Sequence, residues 1–349
     1  MRHTYFEICN FKGIKKIRLN FDSQPKSKIY TLVGLNESGK TTVLEAINFL
    51  DYRSETLDPL NLPSYSVKNV YDLIPISKRS NFNEKITVET GYELNDEDKN
   101  KIKRFCETKL SFCLTHELKN FSITQSYSFR DSELELNQPN YEWSLEFIGK
   151  KKKGRKERQL DGEEWLEAIE FVKTLLPSIL YFPNFLFEFP DKIYLEETPS
   201  NKQKHALYQT IIQDVLDSVG GNMNIKRHIL DRAKDGSQNA RSSLESVLLK
   251  MGSHISETVS KNWDHIFKRK STNSKEIVVS YDRDDREKWF LQFRVKDGNE
   301  LYSISERSLG FRWFFAFLLL THYRGFRNDG SRNVLFLFDE PASNLHSSA

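Results

Sequence analysis

The segment GLNESGKTT at residues 34–42 constrains the fold of this chain more than any other. It matches the pattern G-x-x-x-x-G-K-[ST] at every constrained position, a pattern that forms a loop between a strand and a helix. An apolar run at residues 29–33 predicts the strand, and apolar residues at helical spacing over 43–50 predict the helix. Glycines let backbone N–H groups converge on phosphate oxygens, and the positive end of the following helix favours their charge. The segment therefore predicts a site for the phosphates of a nucleotide.

Each residue type in this loop suits a particular task. We expect the Lys40 ammonium to reach the β- and γ-phosphates and the Thr41 hydroxyl to ligate Mg²⁺. The predicted cofactors are therefore ATP and Mg²⁺. The alternative interpretation, a chance match in an ordinary βα turn, is weakened by the correct flanks. The other loop residues that we expect to contact the nucleotide are Gly34, Asn36, Glu37, Ser38, Gly39 and Thr42.

A second part of the site is predicted near the end of the chain, where the apolar run VLFLF at residues 334–338 precedes Asp339 and Glu340. Such a run is typical of a parallel strand buried on both faces. Acidic residues at its carboxyl end fall where open α/β sheets bind ligands. We expect Asp339 to hold Mg²⁺, directly or through water, and Glu340 to polarise the water that attacks the γ-phosphate. The alternative is a strand followed by a surface turn.

A third element lies about 30 residues before Asp339, where Ser308 and Gly310 open an apolar helix predicted over residues 311–323. A serine at a helix start, with a glycine two positions later, offers a hydroxyl and backbone N–H groups to a phosphate. The alternative is a plain N-cap, in which Ser308 satisfies the first turn of its own helix.

The order of these three elements resembles that of the ABC-type ATPase heads, the class that includes SMC, RecF and the OLD-family nucleases. The resemblance implies that Ser308, Leu309 and Gly310 form the signature motif. It also implies a head-to-tail pair, in which Ser308 and Gly310 of one head cap the γ-phosphate bound at Lys40 of the other. Lys12 matches a basic residue that approaches the nucleotide in RecF and SMC heads. A solvated turn lysine is the alternative there. The glutamine loop of such heads is not placed by the sequence, and Gln125 and Gln138 are candidates for it by residue type alone.

The last residues of the chain resemble one subgroup of this class in particular. The pair Leu345 and His346 is similar to that of OLD-like and related prokaryotic AAA-type ATPases, which implies that His346 lies at the dimer seam as a catalytic residue. Because the chain ends at Ala349, we expect a truncated head, completed by further sequence or by another polypeptide. No TOPRIM domain is recognised, so nuclease activity is not expected here. The acidic run at residues 282–285 is better explained as a hairpin turn than as a metal site.

The predicted fold is an α/β P-loop NTPase of the ABC-head type, with an antiparallel β lobe and a helical insertion. Residues 1–149 are expected to form the N-terminal ATPase lobe with the P-loop. Residues 150–270 are expected to be a mainly helical insertion, in which residues 202–219 and 255–267 carry apolar residues at helical spacing. Residues 271–349 are expected to form the C-terminal lobe with the signature and the Walker B strand. The β-like segments between residues 86 and 148 predict the antiparallel sheet.

Composition adds limits on partners and compartment. The net charge is +3, from 52 basic and 49 acidic residues, and so argues neither for nor against nucleic acid. A basic run at residues 150–158 either contacts a phosphate backbone or is a plain surface loop. The three cysteines have no C-x-x-C spacing, which favours a reduced cytoplasmic compartment. The N-terminus lacks the apolar core of a signal peptide, and the longest apolar run, residues 313–320, is too short to cross a membrane.

The combined prediction is a cytoplasmic ATPase head that binds ATP, hydrolyses it with Mg²⁺ and dimerises on ATP. The homodimer, or a higher oligomer, would control a nuclease or another effector, and the OLD-like resemblance implies a role in anti-phage defence. One alternative is a DNA-repair ATPase of the RecF or SMC type, which would show DNA-stimulated turnover without an effector. The other is a nucleotide-sensing scaffold, which would bind ATP without turning it over.

Overall fold

The computed structural model describes residues 1–22, 28–50, 70–136, 139–182, 189–196, 202–267, 276–323 and 333–340. The chain divides into two compact units. Unit 1 comprises Met1–Asp58, Ser64–Tyr181 and Ser331–Asp339, and unit 2 comprises Pro59–Pro63, Phe182–Gly330 and Glu340–Ala349. The three-part boundaries expected from the sequence stay a prediction.

In its described residues, unit 1 is mainly β-structure with three α-helices. Its elements in chain order are β1 (Arg2–Phe11), β2 (Ile14–Asn20), α1 (Lys40–Asn48), β3 (Lys85–Glu93), α2 (Asp96–Thr108), β4 (Phe112–Leu114), β5 (Phe121–Arg130), β6 (Glu133–Leu134), β7 (Asn140–Trp143), β8 (Ile148–Lys151), β9 (Arg158–Gln159), α3 (Gly162–Lys173), β10 (Ser178–Phe182) and, much later in the chain, β15 (Val334–Phe338). The largest sheet has the order β2-β1-β3-β5-β6, with β7 also beside β5. Its pairs are antiparallel, which confirms the antiparallel sheet predicted from the sequence.

Helix α1 is fixed by packing on this sheet. Its buried residues Val43, Ala46 and Ile47 recur at helical spacing and belong to the core of unit 1. Just after the helix, the Phe49 ring lies 5.6 Å from the ring of Phe11 on β1 and 5.5 Å from that of Tyr127 on β5. The start of α1, which carries the glycine loop, is therefore held at a fixed place beside the sheet.

The predicted strand before the glycine loop does not form. Residues 29–33 have no regular secondary structure, and Ile29 and Val33 are 82% and 90% exposed. Strand β15 forms as predicted but pairs only with β10 in the described part of the chain, and Leu337 is its one buried residue. Burial on both faces was therefore a wrong prediction for β15. An apolar strand is buried on both faces only where other elements pack against both faces of its sheet.

Unit 2 combines a small antiparallel sheet with helices. Its elements are β11 (Ile193–Tyr194), α4 (Lys202–Val219), α5 (Asp231–Asp235), α6 (Gln238–Phe267), β12 (Glu276–Arg283), β13 (Trp289–Asp297), β14 (Glu300–Ser303) and α7 (Leu309–Leu318). The sheet order is β11-β13-β12, with β14 also pairing with β13. The acidic run forms the turn between β12 and β13, where Asp284 Oδ1 accepts the N–H groups of Arg286 and Lys288. The prediction of a hairpin turn is confirmed.

The helices of unit 2 follow the predicted periodicity. Helix α4 has the bounds expected for residues 202–219, and the helix expected over 255–267 is the second half of α6. The helix expected over 311–323 is α7 followed by a turn of π-helix at Leu319–Tyr323. None of the helices in the described part of the chain combines the length and apolar character that a membrane span needs.

Candidate functional site

The backbone of the glycine loop favours glycine at position 39, and a side chain at position 34 would require the Ser38 hydroxyl to move. A Cβ at Gly34 would lie 2.6 Å from Ser38 Oγ, and Gly39 has φ 90°, in the left-handed region. The Ser38 N–H donates to the Leu35 carbonyl at 3.2 Å, which curls the loop back on itself. Side chains of ordinary size would open this curl or strain it. The loop therefore has the compact backbone that a phosphate-binding turn requires.

Lys40 begins helix α1 and turns its side chain back over the loop. Its Nζ donates to the carbonyls of Gly34, at 2.9 Å, and Leu35, at 2.7 Å. No carboxylate forms an ion pair with Lys40 among the residues that the structure describes. The ammonium charge is thus held at the loop by two carbonyls, neither of which neutralises it. An anionic group entering the loop would meet an uncompensated positive charge.

The N-terminus of α1 is open. Gly39 occupies its N-cap position without a side-chain hydrogen bond, and the first turn has no acidic residue. The first N–H groups of a helix have no partner within it, and they carry a partial positive charge. With Asn36, Glu37 and Ser38 exposed in the loop and Thr42 half-buried behind Thr41, this end of the helix is accessible to an anion.

Thr41 and Asp339 meet although 298 positions separate them in the chain. Thr41 Oγ1 donates to the Asp339 carboxylate, at 2.9 Å from Oδ1 and 3.1 Å from Oδ2. Asp339 is carried by the end of β15, and β15 is tied down at its other end, where the Ser178 N–H donates to the Asn333 carbonyl. A hydroxyl and a carboxylate at this separation form the oxygen donor set that Mg²⁺ prefers. The residues present therefore fit a magnesium ion.

Glu340 follows Asp339 directly and is exposed, with a φ of 47°. A non-glycine residue in the left-handed region is uncommon and is often found at functional turns. No hydrogen bond or ion pair restrains its carboxylate among the described residues. Glu340 is placed beside Asp339 by the chain itself, and its side chain is available to solvent.

Lys12 lies against α1. Its side-chain Nζ is 2.6 Å from Glu45 Oε2. Its backbone N–H donates to the Leu73 carbonyl at 2.6 Å. Sequence reasoning missed Glu45, although it is the only acidic residue in an otherwise neutral stretch of α1 after Lys40. The ion pair joins the turn after β1 to the helix of the glycine loop. It would compete with any contact between Lys12 and a phosphate.

Ser308 and Gly310 lie at the start of α7 in unit 2. The Ser308 hydroxyl accepts the N–H of Phe311 at 3.3 Å, so Ser308 is the N-cap of the helix. Ser308 and Leu309 are exposed, whereas Phe311 is buried. The capping contact that the sequence offered as the alternative is present. An exposed hydroxyl at a helix N-terminus is also a group that can contact an anion.

Two expectations lie outside the described residues. His346, the predicted residue of the dimer seam, is one of them. Gln138, one of two candidates for a glutamine that contacts the nucleotide, is the other. The second candidate, Gln125, is buried within β5, between Val88 on β3 and Tyr141 on β7.

Comparison with protein families gives a match over the whole chain. A family model described as an AAA ATPase domain matches residues 1–349. It confirms the predicted class of P-loop ATPase. No curated protein matches the chain.

Solved structures show weaker likeness. A Smc head bound to the C-winged helix domain of ScpA has 14% identity and a TM-score of 0.44, covering 98% of this chain and 90% of the other. A Pyrococcus furiosus Smc head domain with an extended coiled coil, bound to the C-terminal domain of ScpA, has 16% identity and a TM-score of 0.41, covering 99% and 83%. The recombination mediator RecF with ATP has 14% identity and a TM-score of 0.40, covering 99% and 86%.

Proposed function

The chain belongs to the AAA ATPase domain family, and from that premise we propose that it hydrolyses ATP with Mg²⁺ in an ABC-type head that dimerises on ATP. The observation that carries this proposal is the hydrogen bond of 2.9 Å between Thr41 and Asp339. It brings the glycine loop and the acidic end of β15, the two halves of a phosphoryl-transfer site, into one place within unit 1.

Different residues of unit 1 would bind the phosphates and the metal ion. The loop N–H groups and Lys40 hold the phosphates, because they supply donors and positive charge without a competing carboxylate. Thr41 and Asp339 would hold Mg²⁺, which when bound neutralises charge that develops on the phosphate oxygens. The Thr41 hydroxyl has lone pairs for such an ion besides the proton that it donates to Asp339.

Glu340 is the proposed general base. It follows the metal-binding position directly and has a carboxylate that no side chain restrains among the described residues. A carboxylate in that position orients a water molecule and accepts its proton as the water attacks the γ-phosphate. The leaving group is ADP, and the proton passes from Glu340 to solvent.

The test of the magnesium assignment compares two aspartates. Asp339→Asn keeps the shape of the side chain but removes its charge, so we expect half-maximal turnover to need at least about tenfold more Mg²⁺. Asp282→Asn, an exposed aspartate in β12, is the matched control and should leave the Mg²⁺ dependence unchanged. An unchanged requirement in Asp339→Asn would remove Asp339 from the metal site.

The dimer is proposed on the exposed start of α7. Ser308 and Gly310 of one head would contact the γ-phosphate bound at Lys40 of a second copy, with His346 near the same seam. Mass in solution, measured with and without a non-hydrolysable ATP analogue, tests this arrangement. ATP-dependent doubling of mass that is lost in Ser308→Asp supports it, because a carboxylate there repels the phosphate. A constant monomeric mass would contradict it.

We further propose that the head controls a nuclease or another effector in prokaryotic anti-phage defence, as an OLD-like cytoplasmic ATPase. Within the described residues no cluster of three His, Cys, Asp or Glu side chains that could hold a metal ion is present. Plaque counts on cells carrying the natural gene, against cells carrying its Lys40→Ala form, test this role. Equal plaque counts across a panel of phages would count against it.

A nucleotide-sensing scaffold, which would bind ATP without turning it over, is the second candidate. ATP binding without turnover would support the scaffold. Turnover stimulated by duplex DNA without any effector would instead favour a repair ATPase of the RecF or SMC type.

A further inference from the structure

A group of cations stands at the tip of the hairpin formed by β8 and β9. The strands pair with Ile148 opposite Gln159 and Gly149 opposite Arg158, and residues 150–157 are exposed. We define the basic tip as the five cations of this hairpin that form no ion pair in the described part of the chain. They are Lys150, Lys152, Lys153, Arg155 and Lys156.

The carboxylates near the basic tip are already engaged. Glu164 on α3 accepts a hydrogen bond from Arg158 and lies 3.1 Å from Lys151 Nζ. Asp161 lies 3.5 Å from Arg158, and Glu157 accepts a hydrogen bond from Thr115. Glu164 and Asp161 therefore pair with Lys151 and Arg158 and leave the basic tip unpaired, while Glu157, bonded to a neutral hydroxyl, offsets only one of its five charges. The tip therefore keeps a concentrated positive charge facing solvent.

Backbone hydrogen bonds and a contact with an aromatic ring hold the hairpin formed by β8 and β9 in place. The Gly154 N–H donates to the Lys151 carbonyl at 2.7 Å, and the Lys152 N–H donates to the Ser111 carbonyl at 2.8 Å. At the base, the Arg158 guanidinium lies 5.4 Å from the centre of the Phe112 ring. These contacts fix the backbone that presents the cations, so less ordering is needed when an anionic partner binds.

We propose that the basic tip binds the phosphate backbone of duplex nucleic acid, independently of base sequence. A duplex offers about one negative charge per 1.7 Å of axis, which matches several cations that share one surface. Residues 152–157 contain no aromatic side chain on which unpaired bases could stack. They also contain no apolar side chain that could enter a bilayer, which disfavours an anionic membrane as the partner. This inference does not rest on ATP turnover.

The test compares two variants that lose the same charge. Lys152→Gln, Lys153→Gln and Arg155→Gln together remove three cations from the basic tip. The control is Lys99→Gln, Lys101→Gln and Arg130→Gln, which removes two lysines and one arginine that are paired with Glu117, Glu97 and Glu135 in the same unit. Exposed pairs of this kind contribute about 0–1 kcal/mol, so both variants should fold, and thermal unfolding checks that they do.

Fluorescence anisotropy with a labelled 24-base-pair duplex DNA is measured over a series of salt concentrations, without nucleotide. We expect the tip variant to bind at least about tenfold more weakly than the parent, and its slope of log affinity against log salt to fall by roughly 0.9 for each lost phosphate contact. The control variant should stay within about twofold of the parent. ATP turnover without DNA should be the same in all three proteins, which keeps a failure here distinct from a failure of the ATPase assignment.

Several outcomes would overturn the proposal. An equal loss in the control variant would mean that net charge, and not the basic tip, governs binding. Parent protein that binds the corresponding single strand more tightly than the duplex would exclude duplex recognition. Binding to vesicles containing phosphatidylserine, with none to the duplex, would assign the tip to a membrane surface instead.

Discussion

The two helix starts that the sequence marks as phosphate sites are built in different ways. Helix α1 begins after Gly39, which has φ 90° and supplies no capping side chain. Helix α7 begins after Ser308, whose hydroxyl accepts the N–H of Phe311 in the first turn. The first helix therefore leaves its N-terminal donors to solvent or a ligand, and the second satisfies one of them from its own chain.

Because of this difference, we expect substitutions at the two helix starts to affect ligand binding and folding stability in different proportions. An uncapped start with a left-handed glycine weakens a helix in isolation, and α1 is retained by packing of Val43, Ala46 and Ile47 in the core. A capped start is already stable, so a ligand at α7 must compete with the contact between Ser308 and Phe311. We expect substitutions at α1 to reduce nucleotide binding far more than folding. At α7 the two effects should be comparable.

The largest expected effect is that of Lys40→Ala. It removes the only cation that the loop presents and both of its hydrogen bonds to Gly34 and Leu35. Since a charge-assisted hydrogen bond contributes about 1.5–3 kcal/mol, we expect ATP affinity to fall by at least about 100-fold and turnover to be lost. Titration calorimetry with Mg²⁺ and ATP measures this, and Lys15→Ala, an exposed lysine of β2, is the control. Affinity within threefold of the parent would show that Lys40 does not contact phosphate.

Glu340→Gln should separate binding from chemistry. The amide keeps the volume of the side chain but cannot accept the proton of the attacking water, so turnover should fall by roughly 100- to 10,000-fold while ATP affinity changes little. Glu300→Gln, an exposed glutamate of β14, should leave turnover unchanged. Steady-state phosphate release measures the first effect and calorimetry the second. Parent-like hydrolysis by Glu340→Gln would show that another group is the base.

The sequence predicts a structural feature well when that feature depends on residues close together in the chain. The glycine loop, helix α1 and the hairpin turn at Asp284 depend on neighbours along the chain, and short-range patterns predict such features well. The strand expected at residues 29–33 is absent, and β15 is less buried than expected. Pairing needs a partner strand, and burial needs elements packed on both faces of the sheet, neither of which a local pattern specifies. The pairing of Lys12 with Glu45 crosses 33 positions, and nothing in the local sequence of either residue indicates it.

Gly39→Ala tests whether the left-handed backbone at the start of α1 is needed for nucleotide binding. A Cβ at φ 90° costs about 1–2 kcal/mol, although the space around Gly39 is open. We expect unit 1 to lose roughly that free energy of unfolding in urea. ATP affinity should fall as well, because relief of the strain rotates the N–H groups at the start of the helix. Gly13→Ala is the matched control, since Gly13 also has open space but does not have a left-handed φ. Equal effects of the two substitutions would show that the left-handed turn is unimportant.

The smallest effect is expected for substitutions of Ser308, the N-cap of α7. Two substitutions separate its role as a cap from its proposed role in nucleotide binding. Ser308→Ala removes the hydroxyl that accepts the Phe311 N–H and should lower the free energy of unfolding by about 1 kcal/mol, measured by urea denaturation. Ser308→Asp keeps an equally good cap, so stability should stay within about 0.5 kcal/mol of the parent. Its negative charge would nevertheless repel a phosphate, and ATP turnover should therefore fall more in Ser308→Asp than in Ser308→Ala. If the aspartate variant is both stable and fully active, Ser308 is only a helix cap and α7 has no part in nucleotide binding.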